Sequence, residues 1–282
     1  MHIKSGKEVA LKKVLSRAEQ EGFPITAVRE IKLLKHLHHA NVIDLQEMVF
    51  EQDTETGNIP GIYMSFSYME HDLTGLLQDK DIRFTLPQIK CYMSQILHGL
   101  KYLHDHQILH RDIKGSNILL NNRGELRVTD FGLSRPMEDG RKEYTPGVYS
   151  RWYRPPELLL GSREYDSSAD MWGVGCILAE MFLKRPLFPG EDDFSQLEVI
   201  SKLCGTPSSE TIPNFTTYPM ASKVHIAVYK RKLKDITEIG DVLARDLIDK
   251  LLVLDAKKRL SAKTALDHAF FSTPPLAALP QR

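Results

Sequence analysis

Apolar residues change their spacing several times along this chain, and those changes divide it into elements. Glu8 to Val14 (EVALKKV) is a short apolar run bearing Lys12, the pattern of a strand. Pro24 precedes a segment in which Ile31, Leu34 and Leu37 recur at helical spacing, so a helix is predicted to start there. Ile62 to Asp72 (IYMSFSYMEHD) reads as a strand that runs out into a linker. From Leu73 to about His106 the spacing is helical again, with Ile89, Met93, Ile96, Leu97, Leu100 and Leu103 as predicted core. Glu125 to Thr129 is strand-like, and Asp170 to Met181 (DMWGVGCILAEM) reads as a buried helix. The tail after Phe271, with paired prolines, predicts a frayed end.

Composition changes this picture little. The 282 residues are 42% hydrophobic and 26% charged, ordinary for a globular protein and ample for one large domain or two lobes. Lys+Arg and Asp+Glu both number 37, so no global field draws the chain to nucleic acid or to a membrane surface, and neither is an expected partner. Cys91, Cys176 and Cys204 are scattered without metal-ligand spacing and read as reduced, buried thiols of an intracellular protein. The longest apolar-rich window, Ala169 to Leu183, is broken by Asp170 and Glu180 and is too short to span a bilayer. Tyr229 to Lys234 (YKRKLK) is either a solvated basic face or a localisation signal.

Candidate chemistry concentrates in one stretch. His110 to Leu120 (HRDIKGSNILL) packs a His-Arg-Asp triplet, a Lys two residues later and an Asn five residues after the Asp into a short loop. Asp130-Phe131-Gly132 follows at the end of the strand-like run. A lone His-Arg-Asp recurs by chance, but the two segments in this register form the catalytic-loop and metal-loop pair of the protein-kinase signature. In that pattern Asp112 accepts a hydrogen bond from the substrate hydroxyl, Lys114 neutralises charge on the transferred phosphate, and Asn117 and Asp130 hold magnesium ions. Lys12 would grip the α and β phosphates of ATP, with Glu30 as the counter-charge that sets its position. Taken singly, Lys12 reads as a solvated surface lysine and Glu30 as an exposed helix glutamate.

GFPITAVREI (Gly22 to Ile31) resembles the cyclin-binding helix of the cyclin-dependent kinases, in the form found in the transcriptional members. GFPITA-x-RE, HRDIKGSNIL-x-NN and WYRPPELLLG together look most similar to the kinases of the RNA polymerase II C-terminal domain, of the cyclin K-type elongation group and its fungal counterparts. The resemblance implies an α+β, two-lobed fold, with residues 1–70 as a partial, mainly β N-lobe and 71–282 as a mainly α C-lobe. It implies a Ser/Thr kinase that uses ATP and Mg2+ on Ser-Pro or Thr-Pro sites in the polymerase repeats. Its implied partners are a cyclin and an activating kinase, and its implied location is the nucleus. Pro24, Ile25, Thr26, Ala27 and Val28 would contact the cyclin. Ala10, Lys12, Phe66, Met69, Asp72 and Leu119 would line the ATP pocket, with adenine held by main chain around Ser67 to Met69.

By the same resemblance Leu133 to Glu157 is an activation loop, Thr145 its phosphorylated residue, and Ser150 a hydroxyl that contacts the catalytic loop. Arg29, Arg111 and Arg135 would clamp the phosphate, a task that suits bidentate guanidinium groups. Asp170 is expected to anchor the back of the catalytic loop, because a carboxylate in an apolar helix needs donors, and Arg259 to pair with Glu157. Four departures stand out: Ser67 where an acidic residue is usual, Pro146-Gly147 after the threonine, and Tyr149 and Arg151 where smaller or apolar residues are usual. The glycine-rich phosphate loop of the kinase signature should precede the strand lysine by some twenty residues, whereas eleven residues precede Lys12 and hold only Gly6. A truncated kinase is the expectation, and a catalytically weak cyclin-binding module is the alternative.

Overall fold

The computed structural model describes residues 6, 8–14, 24–51, 61–137, 143–145 and 147–280. Gly22, Phe23, the activation-loop stretch 138–142 and Pro146 lie outside the described residues. The smaller lobe is a three-stranded antiparallel sheet in the order β1 (Val9–Lys13), β3 (Ile62–Ser67), β2 (Leu45–Phe50), with helix α1 (Ile25–Leu34) beside it. Central β3 is buried through Met64, Ser65 and Phe66, as the strand with neighbours on both sides should be. Pro24 stands at the N-cap of α1, in the extended conformation. Ala27, Glu30 and Leu34 recur at three and four residues on α1 and are its buried face. Leu37, expected to continue that helix, lies beyond its end in a buried turn.

The larger lobe is helical, so the two-lobed α+β architecture expected from the sequence is the one observed. The long helix expected from Leu73 to His106 is two helices, α2 (Leu73–Gln78), which follows the two-residue strand β4 (His71–Asp72), and α3 (Leu86–Asp105), separated by a loop. The break is local chemistry. The Thr85 side chain accepts from the backbone of Gln88 while the Gln88 side chain receives the Thr85 amide, a capping box that starts a new helix with Pro87 in its first turn. Downstream, β4 pairs with β6 (Ile118–Leu120), β6 with β7 (Leu126–Val128), and β5 (Ile108–Leu109) with β8 (Arg135–Pro136). These short ladders hold the functional loops in place. Four helices, α4 (Pro156–Leu159), α5 (Ser168–Leu183), α6 (Asp193–Cys204) and α7 (Val242–Leu251), form the base, and α8 (Ala262–Leu266) and α9 (Ala269–Ser272) close it.

Helix α5 is buried nearly all round and forms the floor of the lobe. At Gly173 a Cβ atom would lie 2.8 Å from the Ile113 carbonyl oxygen, so glycine is required for α5 to pass this close under the catalytic loop. The Arg259 guanidinium meets Glu157 with two bonds of 2.6 and 2.7 Å and lies 4.9 Å from the Trp172 ring centroid. Both side chains are buried, so neither charge would be tolerated there alone. The three cysteines are buried and free. The tail is tied down rather than frayed: buried Lys90 donates to the carbonyls of Thr273 and Pro275, and the Ala278 amide donates to Pro87. Among the described residues no helix is long and apolar enough to cross a membrane.

Glu180 on α5 is buried against the Tyr153 hydroxyl, 2.9 Å away. Burial pushes its carboxyl up to about 8, against the opposing effect of the Tyr153 hydrogen bond. A raised carboxyl binds its proton more tightly in the folded protein than in the unfolded chain. The stabilisation is therefore complete below about pH 4.5 and is lost progressively as pH rises to about 8. Glu180→Gln keeps an acceptor for Tyr153 and removes the titration. In denaturant melts across that pH range the parent should lose stability steadily, the variant should give a flatter curve, and parallel curves would refute the assignment.

Candidate active site

The catalytic-loop triplet is built on the buried carboxylate of Asp170. Its Oδ1 accepts from the Arg111 amide and the Tyr149 hydroxyl, both at 2.9 Å. Its Oδ2 accepts from the His110 amide and His104 Nε2, both at 3.0 Å. Burial alone would raise this carboxyl, but the His104 hydrogen bond and the nearby histidines outweigh it and hold Asp170 below the usual carboxylate range. His110 then braces the next segment: its Nε2 donates to the Thr129 carbonyl at 2.9 Å, and its ring stands edge-on to buried Phe131 at 5.1 Å. In that tautomer Nδ1 receives the Asp112 amide at 3.2 Å.

Asp112 is buried, and its carboxylate is fixed from both sides. Oδ1 accepts the Ser150 amide and hydroxyl, each at 3.1 Å, and Oδ2 accepts Asn117 Nδ2 at 3.0 Å and Lys114 Nζ at 2.8 Å. Lys114 Nζ also donates to Ser150 Oγ at 2.9 Å. Asn117 spends its amide on Asp112, the second bond going to the backbone carbonyl at 2.8 Å, and so its Oδ1 remains as an acceptor. The Thr129 amide bonds the Asn117 carbonyl at 3.0 Å, which ties the loop of Asp130 to the loop of Asn117. Arg111, Asp130 and Tyr149 all take left-handed backbone angles (φ 68°, 64° and 66°). Such strain costs roughly 1–3 kcal/mol per residue and persists where surrounding structure imposes it.

Across the cleft, Lys12 Nζ lies 2.8 Å from Glu30 Oε1 and 3.0 Å from Asp130 Oδ1. Burial disfavours the Lys12 cation, yet the hydrogen bond and charge of Glu30, with Asp130 behind them, hold it above the ordinary lysine value. Burial would likewise raise Asp130, and the charge of Lys12 outweighs it, so this carboxylate is depressed. Both groups are fully charged at neutral pH. Strand register supplies the walls between the lobes. Ala10 pairs with Phe66, Lys12 with Met64, and Asp72 with Leu119. Asp72 also caps α2 through Gly75 at 2.9 Å, and Met69 is half-buried in the connection before it.

Thr145 is exposed, and its carbonyl accepts from the Tyr165 hydroxyl at 3.0 Å. Arg111 is buried; its guanidinium donates to the Leu133 carbonyl (2.7 Å) and to Tyr165 Oη (2.9 Å) and faces the Tyr144 ring at 6.0 Å. Arg135 is half-buried and donates to the Ser134 carbonyl at 2.8 Å, and Arg29 is exposed on α1. On the same helix Ala27 faces inward, Pro24 and Val28 are half-buried, and Ile25 and Thr26 face solvent. The aromatic set around Thr145 and the roles of His104 and Tyr149 as donors to Asp170 escaped sequence reasoning. Tyr149 had a signal, since it departs from the smaller residue usual in its place, but its partner was unreadable.

A hard divalent cation needs oxygen donors, and the site offers the Asn117 Oδ1 atom and the depressed carboxylate of Asp130. The donor set fits such an ion. Residues 1–271 match the protein kinase domain family. The serine/threonine-protein kinase bur1 of Emericella nidulans is 47% identical, over 98% of this chain and 53% of that protein. Cyclin-dependent kinase C-1 of Arabidopsis thaliana is 48% identical, over 99% of this chain and 57% of that protein. Among solved structures, the crystal structure of the yeast RNA Pol II CTD kinase CTDK-1 complex aligns with TM-score 0.91 and 40% identity, covering 98% of this chain and 89% of that one. The chain spans about half the length of the curated relatives it matches. With the family match over nearly its whole length and the Lys12–Glu30 pair joining sheet and helix, the chain belongs to the protein kinase domain family.

Proposed function

We propose that this chain is the catalytic unit of a cyclin-dependent Ser/Thr kinase that transfers the γ-phosphate of ATP to Ser-Pro or Thr-Pro sites of the RNA polymerase II C-terminal repeats. One observation carries the reading: Lys12, Glu30, Asp112, Lys114, Asn117 and Asp130 converge on one cleft in charged, hydrogen-bonded order. Phosphoryl transfer asks for positioning and charge rather than covalent work from the protein, and this set supplies both. Lys12, held by Glu30, takes the α and β phosphates. Asp112 accepts the proton-bearing hydroxyl of the substrate and aims its oxygen at phosphorus, and Lys114 meets the charge on the transferred group. Asn117 and Asp130 would hold Mg2+, which would supply positive charge to the nucleotide's phosphates.

The cyclin is assigned to the outer face of α1, where Ile25 is 64% exposed and Thr26 faces solvent. Glu30 is among the buried residues of the same helix and pairs with Lys12, so pressure on α1 is felt directly at Lys12. An activating kinase is assigned to Thr145, with Arg29, Arg111 and Arg135 as the phosphate clamp. The polymerase tail as substrate and the nucleus as location rest on the resemblance to the relatives.

Asp130→Asn removes the carboxylate charge with little change of volume. Transfer to a Ser-Pro peptide by the full-length protein with its cyclin should fall about a hundredfold or more, while the melting temperature moves by only a few degrees. Retained transfer in a clean preparation would overturn the kinase assignment. Thr145→Ala deletes the phosphate acceptor, and cyclin-supported activity should drop about tenfold or more because a phosphate's bonds to the arginines are lost. Equal rates for variant and parent would remove Thr145 from the mechanism.

A further inference from the structure

Tyr149, already met as a donor to Asp170, is anchored through its side chain, its amide and its carbonyl alike. Its side chain is buried and packs with Val148, Leu158 and Ala169. Its hydroxyl donates to Asp170 Oδ1 at 2.9 Å, the atom that also receives the Arg111 amide. Its own amide donates to the Arg111 carbonyl at 3.2 Å, and its carbonyl accepts from Arg154 at 3.1 Å. The next residue, Ser150, places its amide and hydroxyl on Asp112. Beyond it opens a groove of about 630 Å³, lined by Ser150, Arg151, Trp152, Pro189 and Glu191.

The order of these contacts assigns a task. The Asp170 carboxylate fixes the catalytic loop from below and, through the Tyr149 hydroxyl on Oδ1, fixes the segment that borders the groove as well. The left-handed backbone at Tyr149 (φ 66°) is a conformation that a bulky residue adopts only under external restraint. The hydroxyl bond to a buried carboxylate is such a restraint, and a bond to a charged partner is among the stronger ones. None of these bonds uses the side chain of Thr145.

We infer that Tyr149 is a positioning residue: its hydroxyl pins the substrate-bordering end of the activation segment to Asp170, so that Ser150 and the groove beside it keep one register with Asp112. The inference rests on the kinase reading for the identity of the groove's occupant, a peptide segment flanking the accepting hydroxyl. It concerns the hydroxyl, because the ring alone would fill the same space without choosing a register.

Tyr149→Phe removes one oxygen atom and leaves Asp170 with three donors, so the fold should survive. In the full-length protein with its cyclin, the KM for a Ser-Pro peptide should rise about tenfold, the loss expected for one charge-assisted hydrogen bond. The KM for ATP should stay within about twofold, because Lys12 and Glu30 touch neither group. Hydrogen exchange should quicken about tenfold in peptides covering 147–154 and stay unchanged in those covering 108–113, where the Asp170 bonds remain. An unchanged peptide KM, or both KM values moving together with the melting temperature, would reduce Tyr149 to packing and overturn the inference. Exchange reads the pin directly, without turnover. Quickened exchange in 147–154 beside a parent protein that phosphorylates no peptide would uphold the pin and count against the kinase reading instead; unchanged exchange would defeat the pin whatever the activity.

Discussion

Asp170 sits inside α5 with its side chain closed to solvent, and its two oxygen atoms take four hydrogen bonds from His104, His110, Arg111 and Tyr149. An ionised carboxylate moved out of water loses several kcal/mol unless donors replace the water it gave up. Two of the four donors are backbone amides of the catalytic loop, so the loop cannot leave without stranding the charge. From that constraint the rest follows in short steps. His110 braces Thr129 and Phe131, Asp112 receives Ser150, Asn117 and Lys114, and Asp130 comes within reach of Lys12. Gly173 belongs to the same constraint, since any side chain there would push α5 away from Ile113 and lift the loop off its anchor.

The second organising contact spans the lobes. Lys12 stands on the sheet, Glu30 on α1 and Asp130 on the larger lobe, and one ammonium group meets both carboxylates at 2.8 and 3.0 Å. Two carboxylates around one lysine are stable only while the cation stays between them, so the position of α1 is coupled electrostatically to the loop of Asp130. Both Lys12 and Asp130 are nearly half exposed, so the contact is weaker than a fully buried pair and can be remade around a ligand. Asp170 is rigid by comparison. The site thus combines a fixed floor with an adjustable roof.

Most elements were legible because periodicity reports burial. The strand around Lys12, the helix after Pro24 and the apolar α5 were all readable, and so was Arg259 with Glu157. The errors have local causes. Apolar spacing continues across the interruption between α2 and α3 and so predicts one helix from Leu73, although Thr85, Pro87 and Gln88 spell a capping box in plain sequence. The paired prolines after Phe271 predict a frayed tail. It is held instead by Lys90, which lies more than 180 residues upstream.

The chain by itself determined which chemical groups are present and at what separations, because a short loop must carry His110, Arg111, Asp112, Lys114 and Asn117 together whatever the fold around it. It determined the buried faces too, since hydrophobic spacing is a local property. Only tertiary structure decided which distant groups answer one another. Tyr149 meets Asp170 across 21 residues, Lys12 meets Asp130 across 118, and Lys90 meets the tail across more than 180. A hydrogen bond depends on a few tenths of an ångström and on direction, and neither is set until the chain has closed around its core. The pattern of residues therefore names the candidates, and packing selects the pairs.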